Sequence, residues 1–229
     1  MATALITGAG GRLGAAIAKR MVADGWFVLL TDVDERAAAD TLLSLGKSKP
    51  GVTAKLDITQ TDSVRKTVDD LARLHGPIAA LVNAAGGRQG ADVGPFTEQD
   101  PSAWRPVVDL HLRGVLNCCH SVLPHMIAAK RGNIVLVTAV EGLRGDPSGA
   151  VFSAAKGGVI VLAEALVREL QPHGIRVNTV VPANPDALVW SGREDDAGDV
   201  AESVAFLLSD RAQHITGACM DVTGGWALH

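Results

Sequence analysis

Seven strand patterns alternate with six helix patterns along these 229 residues. The strands are read at Ala2–Thr7, Phe27–Asp32, Val52–Leu56, Ala79–Asn83, Asn133–Thr138, Arg176–Val181 and Ala218–Val222. Between them, apolar residues recur at helical spacing: Leu13, Ile17 and Met21; Glu35–Leu45; Val64, Val68 and Leu71; a long run over Trp104–Lys130; Val159, Leu162, Ala163, Leu166 and Leu170; and Val200, Val204, Leu207 and Leu208. A strand that returns to its sheet through a helix runs parallel to its predecessor, and the helices then cover both faces. The expected fold is therefore α/β: a single Rossmann-type doubly wound domain over residues 1–229, with a parallel seven-stranded sheet and its ligand site at the carboxyl ends of the strands.

Composition supports one such domain. Hydrophobic residues make up 47% and aromatics only 3%, so the core is aliphatic. The net charge of −4 speaks against a non-specific nucleic-acid or acidic-membrane binder. Cys118 and Cys119 are adjacent, a spacing that suits neither a zinc site nor a disulfide framework, and they read as small buried helix residues. No metal site is expected. The first strand starts at the N-terminus, and no apolar run reads as long enough to span a membrane. A cytoplasmic protein is the resulting expectation.

Thr7-Gly-Ala-Gly-Gly-Arg-Leu-Gly14 joins the first strand to the first helix. Glycines there permit a tight turn and let backbone N–H groups meet a pyrophosphate at the positive end of the helix. Thr7, Gly8, Gly10, Arg12, Leu13 and Gly14 are the candidate contacts. Asp32 closes the second strand, where a carboxylate takes ribose hydroxyls and repels a 2′-phosphate. It favours NAD over NADP. The same residue also suits a helix N-cap.

With these residues in place, the chain resembles the short-chain dehydrogenase/reductase family over nearly its whole length. The family's glycine motif is matched by Thr7, Gly8 and Gly14, and its adenine-contacting acid by Asp57, followed by Ile58. Its Asn-Asn-Ala-Gly segment stands as Asn83-Ala84-Ala85-Gly86, its Pro-Gly as Pro182-Ala183, and its Asp-Gly-Gly as Val222-Thr223-Gly224-Gly225. The resemblance implies that these positions line a nicotinamide dinucleotide. Arg12 replaces the family's middle glycine, and its guanidinium suits phosphate.

The family's working set is an Asn, a Ser, a Tyr and a Lys, and only Lys156 remains. Phe152 stands at the tyrosine in Phe152-Ser-Ala-Ala-Lys156, Ala139 at the serine and His111 at the asparagine; the chain contains no tyrosine. A phenyl ring has no proton to give. A general acid contributes about 10²–10⁴-fold and an oxyanion donor about 10²–10³-fold, so ordinary carbonyl–alcohol interconversion is expected to be very slow. Thr138 neighbours Ala139 but points to the other face of a regular strand. The segment around 183–198 reads as a shortened substrate lid, and Glu141, Arg144 and Asp146, which follow the fifth strand, either border the same cleft or are solvated loop charges.

The expectation is an NAD(H)-binding, non-catalytic structural or regulatory subunit of an oligomeric oxidoreductase. It would form a homo-oligomer (dimer or tetramer) or a hetero-oligomer with an active paralogue, through the helices Trp104–Lys130 and Phe152–Gln171. The alternative is an atypical oxidoreductase using His111, Lys156 or the substrate itself for proton transfer. A third reading is non-redox chemistry, such as lyase-type catalysis.

Overall fold

A computed structural model describes residues 1–46, 50–87, 94–183 and 197–225. Seven strands form one sheet: β1 (Thr3–Thr7), β2 (Phe27–Asp32), β3 (Gly51–Lys55), β4 (Ile78–Asn83), β5 (Gly132–Val137), β6 (Ile175–Pro182) and β7 (Cys219–Val222). Their order is β3-β2-β1-β4-β5-β6-β7, and every pairing is parallel. The chain winds outward from β1 in one direction and from β4 in the other, as the alternation predicts.

The two-residue period of the strands divides the core into two layers. Leu5, Leu29, Leu81, Ile134 and Leu136 face one layer, together with α3 (Thr61–His75), α5 (Gly114–Ala129) and α7 (Ala150–Leu170). Ile6, Leu30, Val82, Val135 and Val137 face the other, with α1 (Arg12–Ala23) and α8 (Ala197–Leu208), whose Ile17, Met21, Val200, Val204 and Leu207 are wholly or almost wholly buried. The remaining helices are α2 (Glu35–Ser44), α4 (Trp104–Val108) and the single turn α6 (Glu141–Arg144).

The run expected as one helix over Trp104–Lys130 is broken. A π-helical turn, Asp109–Arg113, separates α4 from α5 and carries His111. The widened turn inserts an extra residue into the ladder, a feature frequent at functional sites. Lys130 closes α5 in the left-handed region at φ 49°.

The expectation that no segment reaches membrane-spanning length needs correction. Ala150–His173 is long and apolar enough by length and composition. Its inward residues Phe152, Ala155, Val159 and Ala163 are buried, while Val161 is 64% exposed. The expected lid falls almost wholly on 184–196, outside the described residues; Ala183 is buried.

Candidate active site

A cavity of about 680 Å³ runs along the carboxyl ends of the strands, within the size range of small-molecule and cofactor sites. One end is the glycine turn. Gly8 has φ +67°, and a Cβ there would lie 2.6 Å from the Cα of Ala85; a Cβ on Gly14 would lie 2.1 Å from the carbonyl oxygen of Gly8. These glycines let the turn fold back on itself and bring the start of α1 to the cavity. Gly11 caps α1 without a side-chain hydrogen bond, and its first turn holds no acid. The exposed amide end is thus suited to an anion. Arg12, Leu13 and Gly14 all line the cavity there.

Asp32 links the turn to the second strand. Its Oδ2 accepts the N–H of Gly10 at 3.0 Å and its Oδ1 accepts the N–H of Asp34 at 3.0 Å. The helix N-cap is Asp34, whose side chain accepts from Arg36 N–H. Asp32 therefore lines the cavity rather than capping α2. Asp57 is held by Thr59, whose N–H and hydroxyl donate to its Oδ1 at 2.9 and 2.7 Å. Asp57, Ile58 and Leu56 form the neighbouring wall with Val33.

Of the expected contacts, Gly8, Gly10, Arg12, Leu13, Gly14, Asp32, Asp57, Ile58, Ala84, Ala85, Gly86, Lys156 and Pro182 line this cavity. Thr7 and Asn83 lie behind it, each 1% exposed, and the Thr7 hydroxyl accepts the N–H of Ala85 at 3.3 Å. They support the turn from below. A glycine cradle, a helix start open to an anion, a carboxylate at a ribose position and an apolar slot fit a nicotinamide dinucleotide.

The other end of the cavity holds the positions that the sequence reading found without hydroxyls. Ala139 and Phe152 line it. Thr138 lines it too, but its Oγ donates to the Lys156 carbonyl oxygen at 2.9 Å and is buried. Lys156 is 5% exposed, its Nζ 3.5 Å from the Val137 carbonyl oxygen and 5.7 Å from the Phe152 ring centroid. Burial pulls its pKa down to about 8, opposed by the charge of Glu141.

His111 is not on the cavity wall. It is 3% exposed and stands edge-on to Phe152. Its Nδ1 has no formed hydrogen bond among the described residues, although the Gly87 backbone lies near enough to favour the protonated ring slightly. Burial first, and Lys156 second, lower its pKa to about 4. The ring is therefore neutral at physiological pH.

Of the three charges that follow β5, Glu141 begins α6 and lines the cavity beside Lys156, the cleft-bordering alternative of the sequence reading rather than the solvated one. Gly142 makes the approach possible, since a Cβ there would meet the Lys156 carbonyl carbon at 2.7 Å. Cys118 and Cys119 are buried as expected, and burial pushes the Cys119 thiol up to about 12. No cluster that could hold a metal occurs among the described residues.

The family model for short chain dehydrogenases matches residues 2–196. The chain belongs to the short-chain dehydrogenase family. It is 31% identical to a 3-oxoacyl-(acyl-carrier-protein) reductase of Staphylococcus epidermidis over 97% of this chain and 98% of the relative. It is 34% identical to a cis-4-hydroxycyclohexanecarboxylate dehydrogenase of Sinomonas cyclohexanicum over 97% of this chain and 95% of the relative. Among solved structures, an NAD+-bound xylitol dehydrogenase superposes with a TM-score of 0.89 at 26% identity, covering 98% of each chain.

These short-chain dehydrogenase relatives are named as oxidoreductases along essentially their full length. That finding overturns the expectation of a non-catalytic structural or regulatory subunit. Ala139 and Phe152 put no hydroxyl on the cavity wall, while the glycine cradle and Lys156 remain on it.

Proposed function

We propose that this protein is a nicotinamide-dependent oxidoreductase that prefers NAD(H) and works without a serine or tyrosine hydroxyl. The observation that carries this reading is the continuous cavity from the Gly8–Gly14 turn, past Asp32, to Lys156. A nicotinamide held there supplies or accepts hydride. The start of α1 and Arg12 would hold its phosphates, Asp32 its adenosine ribose, and Asp57 with Ile58 its adenine. Lys156 would hold the nicotinamide ribose and carry any proton the site moves. His111 supports Phe152 and Lys156 from behind.

NAD is favoured because the Asp32 carboxylate repels a 2′-phosphate at the same place. The NAD+ held by the xylitol dehydrogenase relative supports the cofactor class. Titration calorimetry with NADH and NADPH tests the reading. Tighter NADH binding is expected; tighter NADPH binding overturns the Asp32 assignment, and no binding of either overturns the function.

We further infer self-assembly through α4, α5 and α7. Val108, Leu116 and Val161 are 38%, 41% and 64% exposed, and Gly158 of α7 meets Leu112 of the π turn across a close contact. Such an apolar face suits a two-fold interface. A cytoplasmic location fits this reading.

A further inference from the structure

The chemistry of the substrate end follows from the charges that line it, and this inference rests on the dinucleotide reading above. A carbonyl that takes up hydride becomes an alkoxide and needs a proton or strong donors at its oxygen. Among the described residues at the inner end of the cavity, Ala139 and Phe152 offer none and the Thr138 hydroxyl is committed to the Lys156 carbonyl, which leaves the Lys156 ammonium, itself beside Glu141. Glu141 adds a carboxylate to the same wall. A carboxylate beside a growing alkoxide raises its energy. With Glu141 offsetting Lys156, this wall gives little to the charge that carbonyl reduction creates.

An acceptor that begins positive and ends neutral has the opposite requirements. It needs no proton donor, and it gains from a carboxylate and from an aromatic face such as Phe152. We propose that the site takes a cationic iminium as its hydride acceptor, or the corresponding amine in the reverse direction, with Glu141 as the group that recognises the cation. One C–H bond forms at the iminium carbon, and the C=N π pair becomes the nitrogen lone pair. The hydride's two electrons come from a reduced nicotinamide dinucleotide, which is left oxidised. No proton enters or leaves, so the missing serine and tyrosine cost nothing.

The placement of Glu141 is built rather than incidental. Thr138 ties the end of β5 to α7 at Lys156. The bare Gly142 lets α6 close against the backbone of the same residue. Together they bring Glu141 beside Lys156, whose ammonium it favours. The pair leaves the wall near neutral without a substrate, so a cation is not repelled by Lys156 alone.

The test is calorimetry on the full chain saturated with NAD+, which permits binding without reduction. The probes are a 2-methyl-3,4-dihydroisoquinolinium salt and the neutral ketone 1-tetralone, similar in size. The cation is expected to bind about tenfold tighter or more. Glu141→Gln should remove that preference while NAD+ still binds, and Glu141→Asp should keep part of it. With NADH, the reduced-cofactor absorbance should fall with the iminium and stay level with the ketone. Absence of a cation preference in the wild type, including failure of both probes to bind, overturns the substrate class, as does a preference that survives Glu141→Gln or equal NADH consumption with 1-tetralone. The wild-type probe pair decides even if Glu141→Gln fails to fold. Failure of NAD+ itself to bind overturns the dinucleotide reading instead, and so separates the two claims.

Discussion

The His111 ring stands edge-on to Phe152, with centroids 4.8 Å apart and planes at 84°. The two residues, which the family resemblance aligns with an asparagine and a tyrosine, pack as a pair. Their aromatic contact is worth about 0.5–1.5 kcal/mol beyond area burial. The neutral imidazole then sits behind the cavity wall instead of on it.

That buried ring makes stability depend on pH. The unfolded chain protonates His111 at its ordinary 6.5, the folded one only at about 4. The stability this site contributes is whole above 6.5, falls as pH drops from 6.5 toward about 4, and is flat below. The full loss is at most ~3 kcal/mol. Urea unfolding between pH 4 and 7 should show a steeper decline for the wild type than for His111→Asn. Parallel curves would mean that the ring gains a proton in the folded state without penalty.

Restoring the hydroxyls should restore the usual chemistry. Ala139→Ser combined with Phe152→Tyr is expected to raise ketone reduction by ~10²-fold or more. Each single change should do less than its share, since such groups act together. Steady-state rates on a ketone panel with NADH decide this, and an unchanged rate would show that the missing hydroxyls are not what limits carbonyl reduction.

Asp32→Asn removes the charge and keeps one acceptor oxygen, enough for either the Gly10 or the Asp34 N–H but not both. The NADPH-to-NADH affinity ratio should rise by on the order of tenfold, the effect of ~1.4 kcal/mol of lost repulsion. Calorimetry with both dinucleotides measures it. A constant ratio would place the ribose elsewhere.

Gly14→Ala would set a methyl 2.1 Å from the Gly8 carbonyl oxygen and 2.8 Å from the Ala9 Cα. Both are backbone atoms, so the turn itself must move. A stability loss of about 1–3 kcal/mol is expected, together with weaker dinucleotide binding. Thermal melts with and without NADH check both. Gly25→Ala is the contrast in space, with nothing within 4 Å of its Cβ, although its φ of +83° carries a strain of its own.

Light scattering on the purified chain should give a dimer or tetramer. Val161→Glu with Leu116→Glu places charge on the exposed apolar face of α7 and α5 and should yield monomers with the same dinucleotide affinity. A monomeric wild type at micromolar concentration would sink the assembly proposal.

The order of strands and helices, the glycine turn and Asp32 were legible in the residues alone. They depend on local periodicity and on backbone geometry that only certain side chains allow, so spacing along the chain carries them. The family's sequence pattern likewise located Ala139, Phe152 and His111. What those replacements do depended on the tertiary structure. His111 and Phe152 are far apart in sequence and meet where the π turn packs against α7. The sequence left Glu141 either at the cleft or in solvent, and the contact at Gly142, which sets α6 against Lys156, decides for the cleft. Charge and desolvation act through space, and the proximity that sets them is created only when the sheet and helices close around the site.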